Sequence, residues 1–307
     1  MPYVIAVLTA AVLFGTTGTS QALGPDGTTP FTVGGMRLVI GGTALAALTG
    51  AAAWLRRRRN PGAPRPRLTA RPAALMAVTA ICLTVYQPLF FLGTSVNGVA
   101  VGTVIALGSS PVLAGVIEGV LHRRMPSGMW MSATALATVG VVLLGIGGGG
   151  DVAADPIGVL GSIGAGASFA VLAVAQRRLL DDGWHPFTVV GAMGGGSAVL
   201  AIPFLFTGGL AWLADPRGLI MALWLGLATV TIAYALFTWG LGGLSAAAAA
   251  TLTLGEPLTA SALGLVVLHE QLAPLAIAGL IVLGSGLALL AWGSRAPRDP
   301  KPFAVEG

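Results

Sequence analysis

Residues 273–292 read APLAIAGLIVLGSGLALLAW, a stretch with one hydroxyl, no charge and otherwise only apolar side chains, proline and glycine. At 1.5 Å of rise per helical residue, about 20 such residues cover roughly 30 Å, the hydrocarbon thickness of a bilayer. Working back along the chain, turn and charge signals mark off comparable runs near 244–268, 217–239, 187–207, 157–179, 127–147, 98–121, 73–92, 31–54 and 3–20. Strands of a membrane barrel would alternate in segments of about 10 residues, whereas these runs are continuously apolar, so helices are the spanning element. The sequence therefore predicts an all-α membrane protein with ten transmembrane helices.

Composition agrees. Of the 307 residues 55% are hydrophobic and only 9% charged, against about 25% charged in soluble proteins. The opening segment carries no Lys or Arg near its start, so it reads as the first span and not as a cleaved signal. Cys82 is the single cysteine and lies in an apolar run, which excludes an internal disulfide or a cysteine-ligated metal. His122, His185 and His269 fall in separate loops, and no Walker-type GxxxxGK[ST] occurs. Neither a metal site nor a cofactor is expected.

The loop from Arg56-Arg57-Arg58-Arg59 through Arg65, Arg67 and Arg71 sets the orientation. With that loop cytoplasmic, Arg123, Arg124, Arg177, Arg178, Arg295, Arg298 and Lys301 fall on the same side. Of the 16 basic residues, Arg217 alone lies in an outer loop and Arg37 alone inside a span. This positive-inside bias places both termini in the cytoplasm and the protein in the plasma membrane. The net charge of +5 is thus a topological signal, with no nucleic-acid partner implied.

The chain also repeats itself. Leu89–Gly108, LFFLGTSVNGVAVGTVIALG, parallels Leu236–Gly255, LFTWGLGGLSAAAAATLTLG; Pro111 parallels Pro257, and Val120-Leu121-His122 parallels Val267-Leu268-His269. Pro30-Phe31-Thr32-Val33 likewise matches Pro186-Phe187-Thr188-Val189. The halves are residues 1–148 and 156–293, followed by a cytoplasmic tail, 294–307. An odd number of spans per half turns the second copy over, giving two inverted five-helix repeats around a central cavity, a plan suited to alternating access.

These features resemble the EamA-type members of the drug/metabolite transporter superfamily. The resemblance covers essentially the whole chain and is carried by the ten spans in two halves, Phe14-Gly15 in the first span, Arg37 in the second, Gly255-Glu256-Pro257 in the ninth, and Leu268-His269-Glu270. It implies a polytopic transporter with both ends cytoplasmic, often exporting amino acids, other metabolites or toxic compounds. One departure is local: the first half has Ser109-Ser110-Pro111 where the second has Glu256-Pro257, and ends its fourth span in His122-Arg123-Arg124, where the family often has an acid. A role for Glu256 therefore does not transfer to the first half.

Three ionisable residues fall well inside spans, where each costs several kcal/mol unless it faces a cavity or a partner. Glu256 lies about 12 residues from either end of its span, roughly 18 Å deep, with Thr253 and Thr259 on the same face and Pro257 freeing a backbone carbonyl one turn earlier. Arg37, about 10 Å deep, either snorkels to the interface or turns inward toward Glu256. Glu118 shares a stripe with Pro111 and Gly115, and Gly115 and Gly119 allow close helix contact, which suits helix packing or an inner gate. Thr231, Tyr234 and Thr238 in the eighth span, Tyr86 and Gln87 in the third, and Thr16, Thr17 and Ser20 in the first are further candidates for the cavity wall or for helix contacts. Trp54, Trp130, Trp212 and Trp292 lie near span ends, as interfacial anchors do.

A transporter of a small-molecule substrate, surrounded by lipid and coupled to protons through Glu256, is the reading that uses these features. A passive channel or facilitator suits a Gly-rich broken-helix bundle equally, while a lipid-modifying membrane enzyme would need clustered acids, bases or ligands at headgroup depth. Gly98/Gly102 and Gly191/Gly195 could pack helices within one chain or across a homodimer.

Overall fold

The computed structural model describes residues 1–59, 68–123, 126–147 and 155–293. Arg65, Arg67, Arg124, residues 148–154 of the joint between the halves and the tail 294–307 lie outside the described residues. Nine continuous helices among those described are long and apolar enough to cross a membrane. One of them, Ala70–His122, runs 53 residues, which would be about 80 Å if straight and more than twice a bilayer.

It is not straight. Gly98 sits at φ 78°, ψ 157°, a conformation open to glycine and closed to side chains. A Cβ on Gly102 would run into the backbone of Gly93 and Thr94, so the chain doubles back at Gly98 into two antiparallel spans. The turn is tied down from outside: the Asn97 side chain accepts the Asp155 N–H at 2.7 Å and donates to the Asp155 carbonyl at 3.1 Å. Ten spans result: α1 (Pro2–Ala22), α2 (Pro30–Arg59), α3 (70–97), α4 (99–122), α5 (Gly128–Gly147), α6 (Pro156–Asp181), α7 (Pro186–Phe206), α8 (Pro216–Leu241), α9 (Ala246–Val266) and α10 (Pro274–Gly293). Gly98→Ala should lower the thermal midpoint in detergent by several degrees, since a left-handed backbone costs a side chain about 1–2 kcal/mol; fluorescence-detected melting checks it.

Proline starts α1, α2, α6, α7, α8 and α10, where its missing N–H is not needed and its fixed φ suits the first turn. Side-chain caps reinforce several starts: Asp155 accepts from Ile157 N at 2.7 Å and Asp215 from Arg217 N at 2.8 Å.

Two departures from regular α-helix matter for the site. Within α8, Trp224–Ile232 is π-helical, a widening that recurs at functional sites. Within α9, Ala246–Leu252 and Gly255–Val266 are separate helices, so the ninth span is broken where the sequence suggested one continuous run. Pro257 lacks the N–H that the Thr253 carbonyl would receive in an α-helix; the Glu256 N–H takes that carbonyl instead at 2.9 Å, one residue short.

Packing follows a pattern that survives exchange of the halves. α2 lies along α7 and α5 along α10, while α1 packs on α8 and α9, and α6 packs on α3 and α4. Contacts are made through glycines. Cβ atoms at Gly140, Gly279 and Gly286 would strike the facing backbone between α5 and α10, and one at Gly42 would strike Gly194 between α2 and α7. Gly102 and Gly191 likewise face α3 and Thr49 of the same chain, so neither glycine pair argues for a dimer interface. Large apolar side chains such as Ile5, Leu48, Val120, Phe206 and Ile281 point outward, as a lipid-facing surface requires.

The four tryptophans near span ends divide. Trp54 is 51% exposed with the Arg58 guanidinium 3.8 Å from its ring centre, and Trp292 is 66% exposed. Trp212 is buried, and Trp130 packs over Gly115 while its Nε1–H donates to Thr251 at 3.2 Å. The last two hold helices together, which nearness to a span end does not reveal.

Candidate functional site

A cavity of about 100 Å³ opens between α1, α2, α3, α4, α6, α8 and α9. It contains the break in α9. Glu256, in the first turn of the second half-helix, and Thr253, at the end of the first, both line it. Glu256 stands about 10 residues from either end of α9, roughly 15 Å from each face of the span. The Thr253 hydroxyl is turned back to the Ala250 carbonyl at 2.7 Å, so the carboxylate is the strongest acceptor that α9 offers the cavity.

Arg37 of α2 reaches the same cavity, and its Nε is buried without a hydrogen-bond partner. The ion pairs within 4.0 Å among the described residues are Arg71–Asp182 and Arg177–Asp181. Arg37 and Glu256 thus share a cavity without closing on each other. Two opposite charges held apart around a small space can take up a solute carrying both signs, since each then gains a charge-assisted hydrogen bond.

The walls are aromatic. Tyr86 and Phe90, one turn apart on α3, stack with centroids 5.6 Å apart; Phe91 meets Phe90 edge-on at 6.0 Å. Opposite, Phe14 of α1 and Tyr234 of α8 meet edge-to-face at 5.1 Å. Gln87, Ser110, Thr17 and Gln21 supply polar edges, and Phe169 of α6 completes the wall.

Of the residues singled out from sequence, Glu256, Thr253, Tyr234, Tyr86, Gln87, Arg37 and Thr17 come together here. Five others have their hydroxyls engaged outside the lining, Ser20 at the Thr16 carbonyl, 2.8 Å, among them. Thr16 donates to the Leu13 carbonyl and accepts from Trp224 Nε1 at 2.9 Å. Thr231 bonds the Gly41 carbonyl at 3.0 Å, because the π-helical turn rotates it toward α2. Thr238 bonds Gln176 at 3.1 Å, and Thr259 turns to the Gly255 carbonyl at 3.4 Å against Gly15.

Glu118 does not reach the cavity either. Its two carboxylate oxygens accept the N–H groups of Ala246 and Ala247 at 2.7 and 3.0 Å. With Ser245 accepting from Ala248 N at 3.1 Å, the N–H groups of the first three helical residues of α9 are all taken. Gly115 receives the Trp130 ring, and the Gly119 carbonyl takes the Arg123 N–H. Pro111, like Pro257, frees a carbonyl one turn back; here the Ser110 hydroxyl takes it, at Leu107 O, 3.2 Å. Ser110 and Glu256, each directly before the proline of its half, both line the cavity.

Sequence reasoning passed over Gln21, Phe90, Phe91 and Phe169. A signal existed: Phe14 and Gln21 stand at the same spacing as Phe169 and Gln176, so the first spans of the halves carry matching Phe…Gln pairs.

Comparison with known proteins agrees with this architecture. The model of the EamA-like transporter family matches residues 1–146 and 156–292. The chain is 40% identical over 299 residues to an uncharacterized transporter, YwfM, of Bacillus subtilis (strain 168), with 97% of this chain and 96% of that protein covered. Its fold also overlays on a solved crystal structure at a TM-score of 0.75 and 18% identity, covering 95% of this chain and 97% of the other. From the family match across both halves, the close relative and the bundle of apolar helices, this chain belongs to the EamA-like transporter family and is a multi-pass membrane transporter, not an enzyme.

Proposed function

We propose that the chain exports a small metabolite, an amino acid or similar solute or drug, across the plasma membrane by alternating access, with proton coupling through Glu256. The observation that carries this reading is the unpaired placement of Glu256 and Arg37 around one cavity at the break in α9. A solute with both charges satisfies both groups at once. A proton on Glu256 replaces the solute's positive end on the return step, which is what couples the two fluxes.

The helix pairing supports two inverted repeats, residues 1–148 and 156–293. Exchange of the halves maps α2–α7 and α5–α10 onto themselves and swaps the α1 contacts for those of α6. The positive-inside bias supports cytoplasmic termini.

The test is reconstitution into liposomes with a panel of labelled amino acids, nucleosides and cationic drugs, with and without a pH gradient. Saturable uptake of a zwitterionic solute, accumulated beyond equilibrium when the lumen is the more acidic side, is the expected result. Uptake that saturates but never exceeds equilibrium in any gradient would make the protein a passive facilitator. No flux of any compound would overturn the substrate reading.

A further inference from the structure

The helices around the cavity fall into two bundles: α1 with α8 and α9, and α6 with α3 and α4. Three polar ties cross from one bundle to the other, all at the end of the molecule that carries the α8–α9 turn. Glu118 of α4 caps the start of α9 through Ala246 and Ala247. The Arg177 guanidinium of α6, held by Asp181 at 2.7 Å, donates to the carbonyls of Leu241 and Leu244. Gln176 of α6 accepts the Thr238 hydroxyl of α8 at 3.1 Å, and both are fully buried.

At the opposite end the polar ties of these helices stay inside a bundle: Trp224 to Thr16 in one, Asn97 to Asp155 in the other. There Gln21 is exposed and lines the cavity. The first half of α9 packs against α4 and α6, whereas the second half turns away onto α1 and α10. The cavity is therefore shut at the α8–α9 end and open at the Gln21 end.

We propose that Glu118, Arg177 and the Gln176–Thr238 pair are the latch that keeps the α8–α9 end closed, and that transport proceeds only by breaking it. The proposal rests on the alternating-access reading and adds to it the residues that hold one state.

The repeat explains why this state is the one favoured. Gln21 holds the place of Gln176, but aligning LFFLG (89–93) with LFTWG (236–240) puts Phe91 where Thr238 stands. Aligning Val120-Leu121-His122 with Val267-Leu268-His269 puts Leu265 where Glu118 stands. Closure at the Gln21 end would thus find a phenyl ring for a hydroxyl and a leucine for the capping carboxylate. The same register puts Ala22 where Arg177 stands, so none of the three ties has a counterpart and the two closed states are unequal in energy.

The experiment is sided labelling of a single cysteine, Thr253→Cys, in the full chain with Cys82→Ser, reconstituted in vesicles and probed with a membrane-impermeant maleimide from each face. With the latch intact, labelling is expected from the Gln21 face alone. In the Glu118→Gln/Arg177→Gln double variant, labelling from the α8–α9 face should rise about tenfold or more and labelling from the Gln21 face should fall. A monodisperse double variant that labels like its parent overturns the proposal. Should the double variant not fold, Thr238→Val, which removes one hydroxyl and keeps the shape, decides: a smaller shift in the same direction supports the latch, and unchanged sidedness overturns it. No substrate enters the measurement, so its failure is distinct from failure of the zwitterion or proton-coupling reading.

Discussion

Glu256→Gln should reduce saturable transport by about 10- to 100-fold while leaving the protein as stable as its parent. Glutamine keeps the size of the side chain and an oxygen that accepts hydrogen bonds, so the packing of α9 against α1 and α10 is untouched. What is lost is the charge. A hydrogen bond to a charged group is worth about 1.5–3 kcal/mol and a neutral one about 0.5–1.5, and each 1.4 kcal/mol is tenfold in affinity. The variant also has no carboxylate to protonate, so the response to a pH gradient should vanish. On the proposed antiport the parent protein should take up more solute into liposomes when the lumen is acidic, because protons would leave as solute enters; the variant should show the same residual uptake in either gradient. Uptake that stays pH-responsive in Glu256→Gln would remove the proton from the proposal and leave the carboxylate as a binding group.

How much of this was legible in the sequence depends on which physical signal was at work. Span number and boundaries were readable because bilayer thickness fixes the length of an apolar helix, and the largest errors lie where a helix is interrupted rather than ended. Gly98 and the break at Thr253–Leu254 show the difference. Gly98 terminates a span that is already long enough, so counting residues finds it. The α9 break sits in mid-membrane, and only Pro257 announces it; the sequence pointed to the freed carbonyl but not to the two separate half-helices.

The candidate site was partly legible for a related reason. Charges in hydrocarbon are costly enough to stand out, so Glu256, Arg37 and Glu118 could all be picked from composition alone. Their destinations could not be. Glu118 reaches across to the start of α9, a contact between residues far apart in sequence that no helix periodicity encodes. Among the hydroxyls, Thr231 was placed on the face of Tyr234 by α-helical spacing, yet it lies in a π-helical segment where that spacing does not hold. Tyr86 and Tyr234 of the aromatic wall were picked out, but its phenylalanines escaped notice as wall residues because Phe is expected in any apolar helix; only the matched Phe…Gln spacing in the two halves distinguishes Phe14 and Phe169 from ordinary lipid-facing side chains.

Gly140→Leu should be the most damaging substitution outside the cavity. None of the cavity-lining residues comes from α5, α7 or α10, so the α5–α10 pair serves as a frame. Its helices meet backbone to backbone: a Cβ at Gly140 falls on the backbone of Leu283, and at Gly279 and Gly286 on the backbone around Leu144 and Ala137. A side-chain neighbour could rotate away, but backbone can yield only if the helices separate, and separation strips the contacts along the whole pair. Overpacking of this kind costs about 1–3 kcal/mol or more, which corresponds to a fall of about 2–10 °C in the melting temperature of a chain this size. Gly284→Leu on the partner helix α10 is the control, since nothing lies within 4 Å of its added Cβ, and it should melt with the parent. Transport by Gly140→Leu should fall only in step with the folded fraction, keeping its substrate preference and pH response. A stable Gly140→Leu that transports with altered sidedness would instead make the α5–α10 pair part of the moving machinery.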